Sequence, residues 1–207
     1  MKPLFAILID GGFLTKKLRA RLSRHPTAED VLAECDRIQS LSLLEGYELL
    51  RIYYYDAPPS AAAIPRPVSR IKLNLGATER FRSGQSLYDQ LAIKPHVAMR
   101  MGETRLSGAK WRIKQRVAAD LINKPRQLFD DDFDLDISQK GVDMRIGLDI
   151  ARLALRETVR AIVVITGDSD FVPAFKFARR EGVKVYLETL NHNVRPELRT
   201  HADLVLS

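Results

Sequence analysis

The chain is nearly free of cysteine. Cys35 is the only one in 207 residues, which excludes a disulfide scaffold and suits a reducing compartment. Long apolar runs are missing too. Leu4–Ile9 is shorter than a signal-peptide core and stops at Asp10, and no later stretch approaches the roughly 18 residues of a membrane span. We therefore expect a soluble, cytoplasmic protein with no membrane contact. The four histidines (His25, His96, His192, His201) show no metal-ligand spacing. There is no phosphate-cradling glycine loop, which excludes a nucleotide switch of that type, and no internal repeat or low-complexity tract.

What is present is an ordinary globular composition. At 45% hydrophobic and 29% charged, wholesale disorder is excluded. The length suits one domain over residues 1–207, with an insertion around 102–139. Lys and Arg number 33 against 26 Asp and Glu, a net charge of +7. That surplus permits a polyanionic partner such as nucleic acid without requiring one.

Leu4-Phe5-Ala6-Ile7-Leu8-Ile9 followed by Asp10-Gly11-Gly12 is the pattern of a strand buried on both faces and then a turn. A helix is expected from Phe13 to about Leu22. Thr27 with Asp30 marks the N-cap of another, running toward Leu44. Glu48–Tyr55 reads as a second strand, Ala57–Pro67 as a breaker-rich loop, and two helical patterns precede a third strand at His96–Met101. Residues 102–139 show no clear periodicity. They are basic first (Arg105, Lys110, Arg112, Lys114, Arg116, Lys124, Arg126) and acidic after (Asp130, Asp131, Asp132, Asp134, Asp136), and are expected to be partly mobile. Met144–Leu155 is apolar almost all round and predicts a buried helix. Ala161–Ile165 is a core strand ending in Thr166-Gly167-Asp168-Ser169-Asp170. A helix from near Pro173 to Gly182, a strand at Val183–Leu187 and an edge strand at Asp203–Leu206 complete the chain. Strands alternating with helices imply an α/β fold with a largely parallel sheet.

In such a sheet, ligands bind beyond the carboxyl ends of the strands. Asp10 follows the first strand; Asp168 and Asp170 follow a later one. Asp143, after Lys140-Gly141-Val142, opens a helix and joins them from the side. Carboxylates packed this closely repel one another, and a divalent cation removes the conflict. Hard oxygen ligands suit Mg²⁺ or Mn²⁺, which activates water for phosphodiester attack. The plainer alternative is that these acids are helix N-caps. A cap needs one acid, however, and here two stand within three residues.

These residues carry a resemblance. The pieces are Ile7-Leu8-Ile9-Asp10-Gly11-Gly12, Tyr54-Tyr55-Asp56, Gln139-Lys140-Gly141-Val142-Asp143 with Asp149 beyond, and Thr166-Gly167-Asp168-Ser169-Asp170-Phe171-Val172-Pro173. Arg180-Glu181-Gly182-Val183-Lys184-Val185 and Leu198-Arg199-Thr200-His201-Ala202-Asp203 come after them. Together they resemble the NYN domain family of the PIN-like superfamily, its LabA-like branch in particular. The resemblance implies a Rossmann-like three-layer α/β/α domain. It also implies a Mg²⁺- or Mn²⁺-dependent ribonuclease site made of Asp10, Asp143, Asp168 and Asp170. One departure stands out: the family often has Asn three residues after the first Asp, where it helps hold the site together, and here that residue is Phe13.

Further candidates remain open. Lys140 either holds a scissile phosphate or is simply solvated. Thr166 and Ser169 either bond a phosphate or a water on the metal, or cap the next helix. Trp111 among Arg112, Lys114 and Arg116 is either a base-stacking, phosphate-binding surface or a solvated basic face with one packed Trp. The acidic run Asp130–Asp136 is either a solvated loop or folds back on the basic stretch. In the nuclease reading, bases between Arg100 and Arg126 surround the acidic pit and RNA is the partner; a homo-oligomer is left open. A haloacid-dehalogenase-like phosphatase is disfavoured, because the acids it needs fall at Gly12 and Val172. A catalytically weak or inactive RNA-binding or scaffold protein of the same fold is the main alternative. Phe13 favours it, and the four retained acids oppose it.

Overall fold

Strict alternation along the first strand decides the layering. In β1 (Leu4–Asp10), Phe5, Ile7 and Ile9 are buried on one face of the sheet and Ala6 and Leu8 on the other. The computed structural model describes residues 2–206, apart from the side chains of residues 107–110 and 138, so the Lys110 side chain lies outside the described set. Helices α1 (Gly11–Leu22) and α2 (Ala28–Gln39) precede strand β2 (Glu48–Asp56). A small hairpin, β3 (Ala63–Pro65) and β4 (Lys72–Asn74), leads to helix α3 (Glu79–Ala92) and strand β5 (Val97–Met101). Then come β6 (Glu103–Ile113), α4 (Gln115–Asn123) and β7 (Phe133–Lys140). The last third is α5 (Val142–Leu155), β8 (Ala161–Ile165), α6 (Val172–Arg180), β9 (Lys184–Glu188), α7 (Pro196–Thr200) and β10 (Leu204–Val205).

Six strands form one sheet in the order β10-β9-β8-β1-β2-β5, every pairing parallel. Leu14, Leu18, Val31, Cys35, Leu87 and Leu91, from α1, α2 and α3, fill one face. Ile146, Ile150, Phe175 and Leu198, from α5, α6 and α7, fill the other. The result is a three-layer α/β/α fold, as the strand–helix alternation predicts. Cys35 is a packing residue: burial pushes its thiol up to about 12, so it is inert as a nucleophile near neutrality.

Several local expectations change. The helix capped by Thr27 has the full capping box with Asp30 but ends at Gln39, and Ser42–Leu44 is a separate 3₁₀ turn. Between the breaker-rich loop and β5 there is one full helix, α3; the other pattern is a 3₁₀ turn at Leu75–Ala77. The Met144–Leu155 helix is not buried all round. Met144 is 71% exposed, Leu148 63% and Leu155 62%, because a helix in an outer layer meets the sheet on one side only.

Residues 103–140 form an antiparallel ribbon, β6 against β7, with α4 at its far end. Its acidic strand pairs with its basic one. Arg112 lies 2.6 Å from Asp136, Lys114 donates to the Asp131 carbonyl at 2.7 Å, and Arg126 grips Asp132 through two bonds of 2.6 and 2.7 Å. The fold-back alternative is therefore the one adopted. The Trp111 indole N–H donates to the Pro65 carbonyl at 3.0 Å, which ties the ribbon to the end of β3.

Candidate active site

The sheet order runs outward from β1 in both directions, so the topological switch lies between β1 and β8. Ile9 pairs with Ile165, which sets the next residues, Asp10 and Thr166, side by side although they are distant in sequence. The Thr166 hydroxyl is buried; it donates to Asp10 Oδ2 at 3.2 Å and accepts the Asp168 N–H at 3.1 Å. One threonine thus links the two strand ends.

Asp10 is both a cap and a cleft residue. Its Oδ1 accepts the Phe13 N–H at 3.0 Å as the N-cap of α1, while the carboxylate faces the cleft. Gly11 has no room for a side chain: a Cβ there would sit 2.7 Å from both Tyr54 Cζ and the Tyr55 carbonyl oxygen. In the second acidic pair, Asp168 is the capping residue, accepting the Asp170 N–H at 2.9 Å. Asp170 is left exposed with no capping duty in that turn.

These strand ends border an open cleft of about 390 Å³ lined by Asp10, Phe13, Gly167, Asp168, Ser169, Asp170, His192 and Arg195. Phe13 lies against Gly167, where a Cβ would come within 2.6 Å of its ring. The His192 ring is 5.9 Å away and the Lys17 ammonium 5.4 Å from the Phe13 centroid. The residue that departs from the family pattern is therefore packed into the cleft wall.

Burial pushes the Asp10 carboxyl up to about 6; repulsion from Asp143 and Asp56 adds to this, while the Phe13 N–H and Thr166 hydroxyl oppose it. Asp143 sits in the first turn of α5, outside the residues that line the cleft. Its carboxyl is also raised, by partial burial first and then by the charges of Asp168 and Asp170. The four acids therefore feel one another across one edge of the sheet. They do not form a closed cage: among the described residues, no three His, Cys, Asp or Glu side chains stand close enough together to hold a metal between them. Such an open set suits a hard, largely hydrated divalent ion, which takes only one or two carboxylates from the protein.

The remaining candidates are dispersed. Lys140 is exposed at the end of β7, three residues before Asp143. Arg112 and Lys114 sit at the opposite end of the ribbon, in ion pairs, and do not line the cleft. Asp149 points away from the acids. It accepts the Tyr55 hydroxyl at 2.9 Å and pairs with Arg100 at 3.1 Å and Arg152 at 3.5 Å, which makes it a structural bolt between α5 and the sheet.

Three residues at this edge of the sheet were not among the sequence candidates, although Asp56 falls in one of the matched pieces. Asp56 ends β2 as Asp10 ends β1; it is buried, its carboxyl is raised by that burial, and it accepts the Ala57 N–H at 2.7 Å and the Gln139 amide at 3.3 Å. His192 and Arg195 come from the loop after β9. The rule that sites gather past strand ends points to all three once the sheet order is known.

The NYN domain family model matches residues 100–207, rather more than half of the chain. The chain belongs to the NYN domain family. NYN domains belong to the PIN-like nuclease superfamily. The matched segment of this NYN domain holds the ribbon, Asp143, Asp168 and Asp170, while Asp10 lies outside it. The crystal structure of a protein of unknown function from Vibrio parahaemolyticus is similar over 99% of this chain and 91% of that one, with a TM-score of 0.53 and 15% identity, a likeness of fold. No curated protein matches this chain.

Proposed function

We propose that this NYN domain is a metal-dependent endoribonuclease, of the LabA-like branch that its Lys-Gly-Val-Asp and Gly-Asp-Ser-Asp-Phe motifs resemble. The observation that carries the reading is the meeting of Asp10 with Asp168 and Asp170 in one cleft at the switch point, tied together by Thr166. Asp10, Asp143, Asp168 and Asp170 would coordinate or position Mg²⁺ or Mn²⁺, one or two of them binding the ion directly. The chemistry such an ion supplies is activation of water and neutralisation of charge on the leaving oxygen. The chain's own part is positioning. Thr166 orients Asp10 and the capping bonds fix Asp10 and Asp168; Ser169, in the cleft lining, and Lys140, at the end of β7, would contact the phosphate. Preset carboxylates of this kind hold reacting groups in place without reorganisation during the reaction.

The test is cleavage of single-stranded and structured RNA with Mn²⁺, with EDTA, and with Asp10→Asn and Asp168→Asn. Cleavage should need the metal and fall at least about a hundredfold in each variant. Metal-independent cleavage, or full activity in both variants, overturns the reading. A second reading, an RNA binder of the same fold without strong catalysis, is favoured by Phe13 filling the place of the family Asn. RNA bound tightly but never cut by well-folded protein would establish it.

A further inference from the structure

The loop after β9 turns back sharply. Leu190 and Asn191 both have left-handed backbones, with φ of 51° and 58°, and the His192 N–H bonds the Thr189 carbonyl at 2.9 Å. Two successive non-glycine residues in that region are costly and tend to occur where the chain must present something. Beyond this turn, burial sets the period of the chain. Val194 and Leu198 are buried in the core, four residues apart, so Arg195 and Arg199, also four apart, are turned outward. Arg195 lines the acidic cleft. It also lines a second groove of about 620 Å³ shared with Asn193, Pro196, Arg199 and Thr200. The two depressions share this one residue.

Several arginines elsewhere are committed to acids. Arg112, Arg126 and Arg179 are engaged with Asp136, Asp132 and Asp203. Among the described residues, neither Arg195 nor Arg199 forms an ion pair, although Arg195 lines the same cleft as Asp10, Asp168 and Asp170 and Arg199 lines the groove next to it. A cleft of carboxylates repels a phosphodiester; unpaired guanidiniums at its rim offset that repulsion and grip phosphate oxygens through two N–H groups.

We propose that the groove over Arg195 and Arg199 is the track along which the backbone of a single-stranded nucleic acid leaves the acidic cleft, with successive phosphates on the two arginines. The proposal rests on the nuclease reading for its direction, but its test does not need cleavage. A short labelled single-stranded RNA is titrated with the full chain in EDTA over a range of KCl, for the wild type and R195A/R199A. The double variant should bind roughly tenfold more weakly, and the slope of log K against log salt should shrink by about 1.4, or 0.7 per lost phosphate contact. R195K/R199K should restore most of the slope. K176A/R180A, on the basic cleft at the amino-terminal edge of the sheet, should leave it unchanged. Both residues of the pair are exposed, so the variants should melt like the wild type. Equal affinity and slope in R195A/R199A overturn the track. If the slope falls as expected while wild-type protein never cleaves RNA with Mn²⁺, the track stands and the nuclease reading fails.

Discussion

Asp10 has two roles that oppose each other energetically. As a cap it stabilises α1; as a largely buried carboxylate facing other acids it is costly to ionise, which is why its carboxyl stands near 6. The folded chain therefore holds a proton here that the unfolded chain has released. Stability should fall as pH rises from about 4 to about 6, and the full penalty, about 3 kcal/mol at 1.36 kcal/mol per pKa unit, should persist above that window. Asn caps as well as Asp and carries no charge. In metal-free buffer, Asp10→Asn should be more stable than the wild type by about 1–3 kcal/mol at pH 7.5 and equal to it near pH 4, while losing activity. Thermal melts across that range check it. A variant less stable at pH 7.5 would show that the cap, not the charge, dominates.

Among the elements, the β6–β7 ribbon is held differently from the sheet. Val117 is its one buried large hydrophobe in α4, and much of the rest is charge pairing. Asp132 is its keystone: Arg126 holds both carboxylate oxygens, the Phe129 N–H donates at 2.8 Å, and these bonds bring its carboxyl down to about 2. A depressed carboxylate stabilises above its unfolded pKa and ceases to do so as pH falls, here between about 4 and 2. Asp132→Ala should loosen the ribbon without unfolding the sheet. Limited proteolysis should then cut within 103–140 faster than in the wild type, with the main melting transition shifted little; equal cutting rates would mean the loop contacts at Trp111 and Thr104 hold it alone. Part of this element was legible: Phe133-Asp134-Leu135-Asp136-Ile137 alternates apolar with polar, half-buried with exposed, as a strand should, but the run of acids around it hides the pattern. The expectation for α5 failed for the converse reason: an apolar composition does not reveal that its outer face lacks a neighbour.

For the whole molecule, the order of the sheet predicts where it is most stable. β1 and β8 are central, covered on both faces and paired on both edges. Their amides should exchange with solvent only on global unfolding, while the ribbon and the edge strand β10 exchange first. Hydrogen exchange read by mass spectrometry checks this, and fast exchange in β8 would contradict the assigned core. The charge of +7 also reads differently once folded. Of the bases between Arg100 and Arg126, expected to surround the acidic pit, Arg100, Arg112 and Arg126 are turned toward Asp149, Asp136 and Asp132. Arg195, which lines the cleft, and Arg199, in the adjoining groove, take part in none of these ion pairs.

Sequence alone determined the central strands, because Leu4–Ile9 and Ala161–Ile165 are apolar runs that water rejects on both faces. It also determined where the carboxylates stand, since Asp10, Asp168 and Asp170 come directly after those runs in the chain. Tertiary structure decided which strand ends are neighbours. Pairing of β1 with β8 is a contact across more than 150 residues, closed by the hydrogen bond from Thr166 to Asp10, and no local periodicity encodes it. That pairing brought Asp10 to Asp168. The return of the chain after β9 then set His192 and Arg195 beside them, since loops at one edge of a parallel sheet meet only once the sheet is assembled.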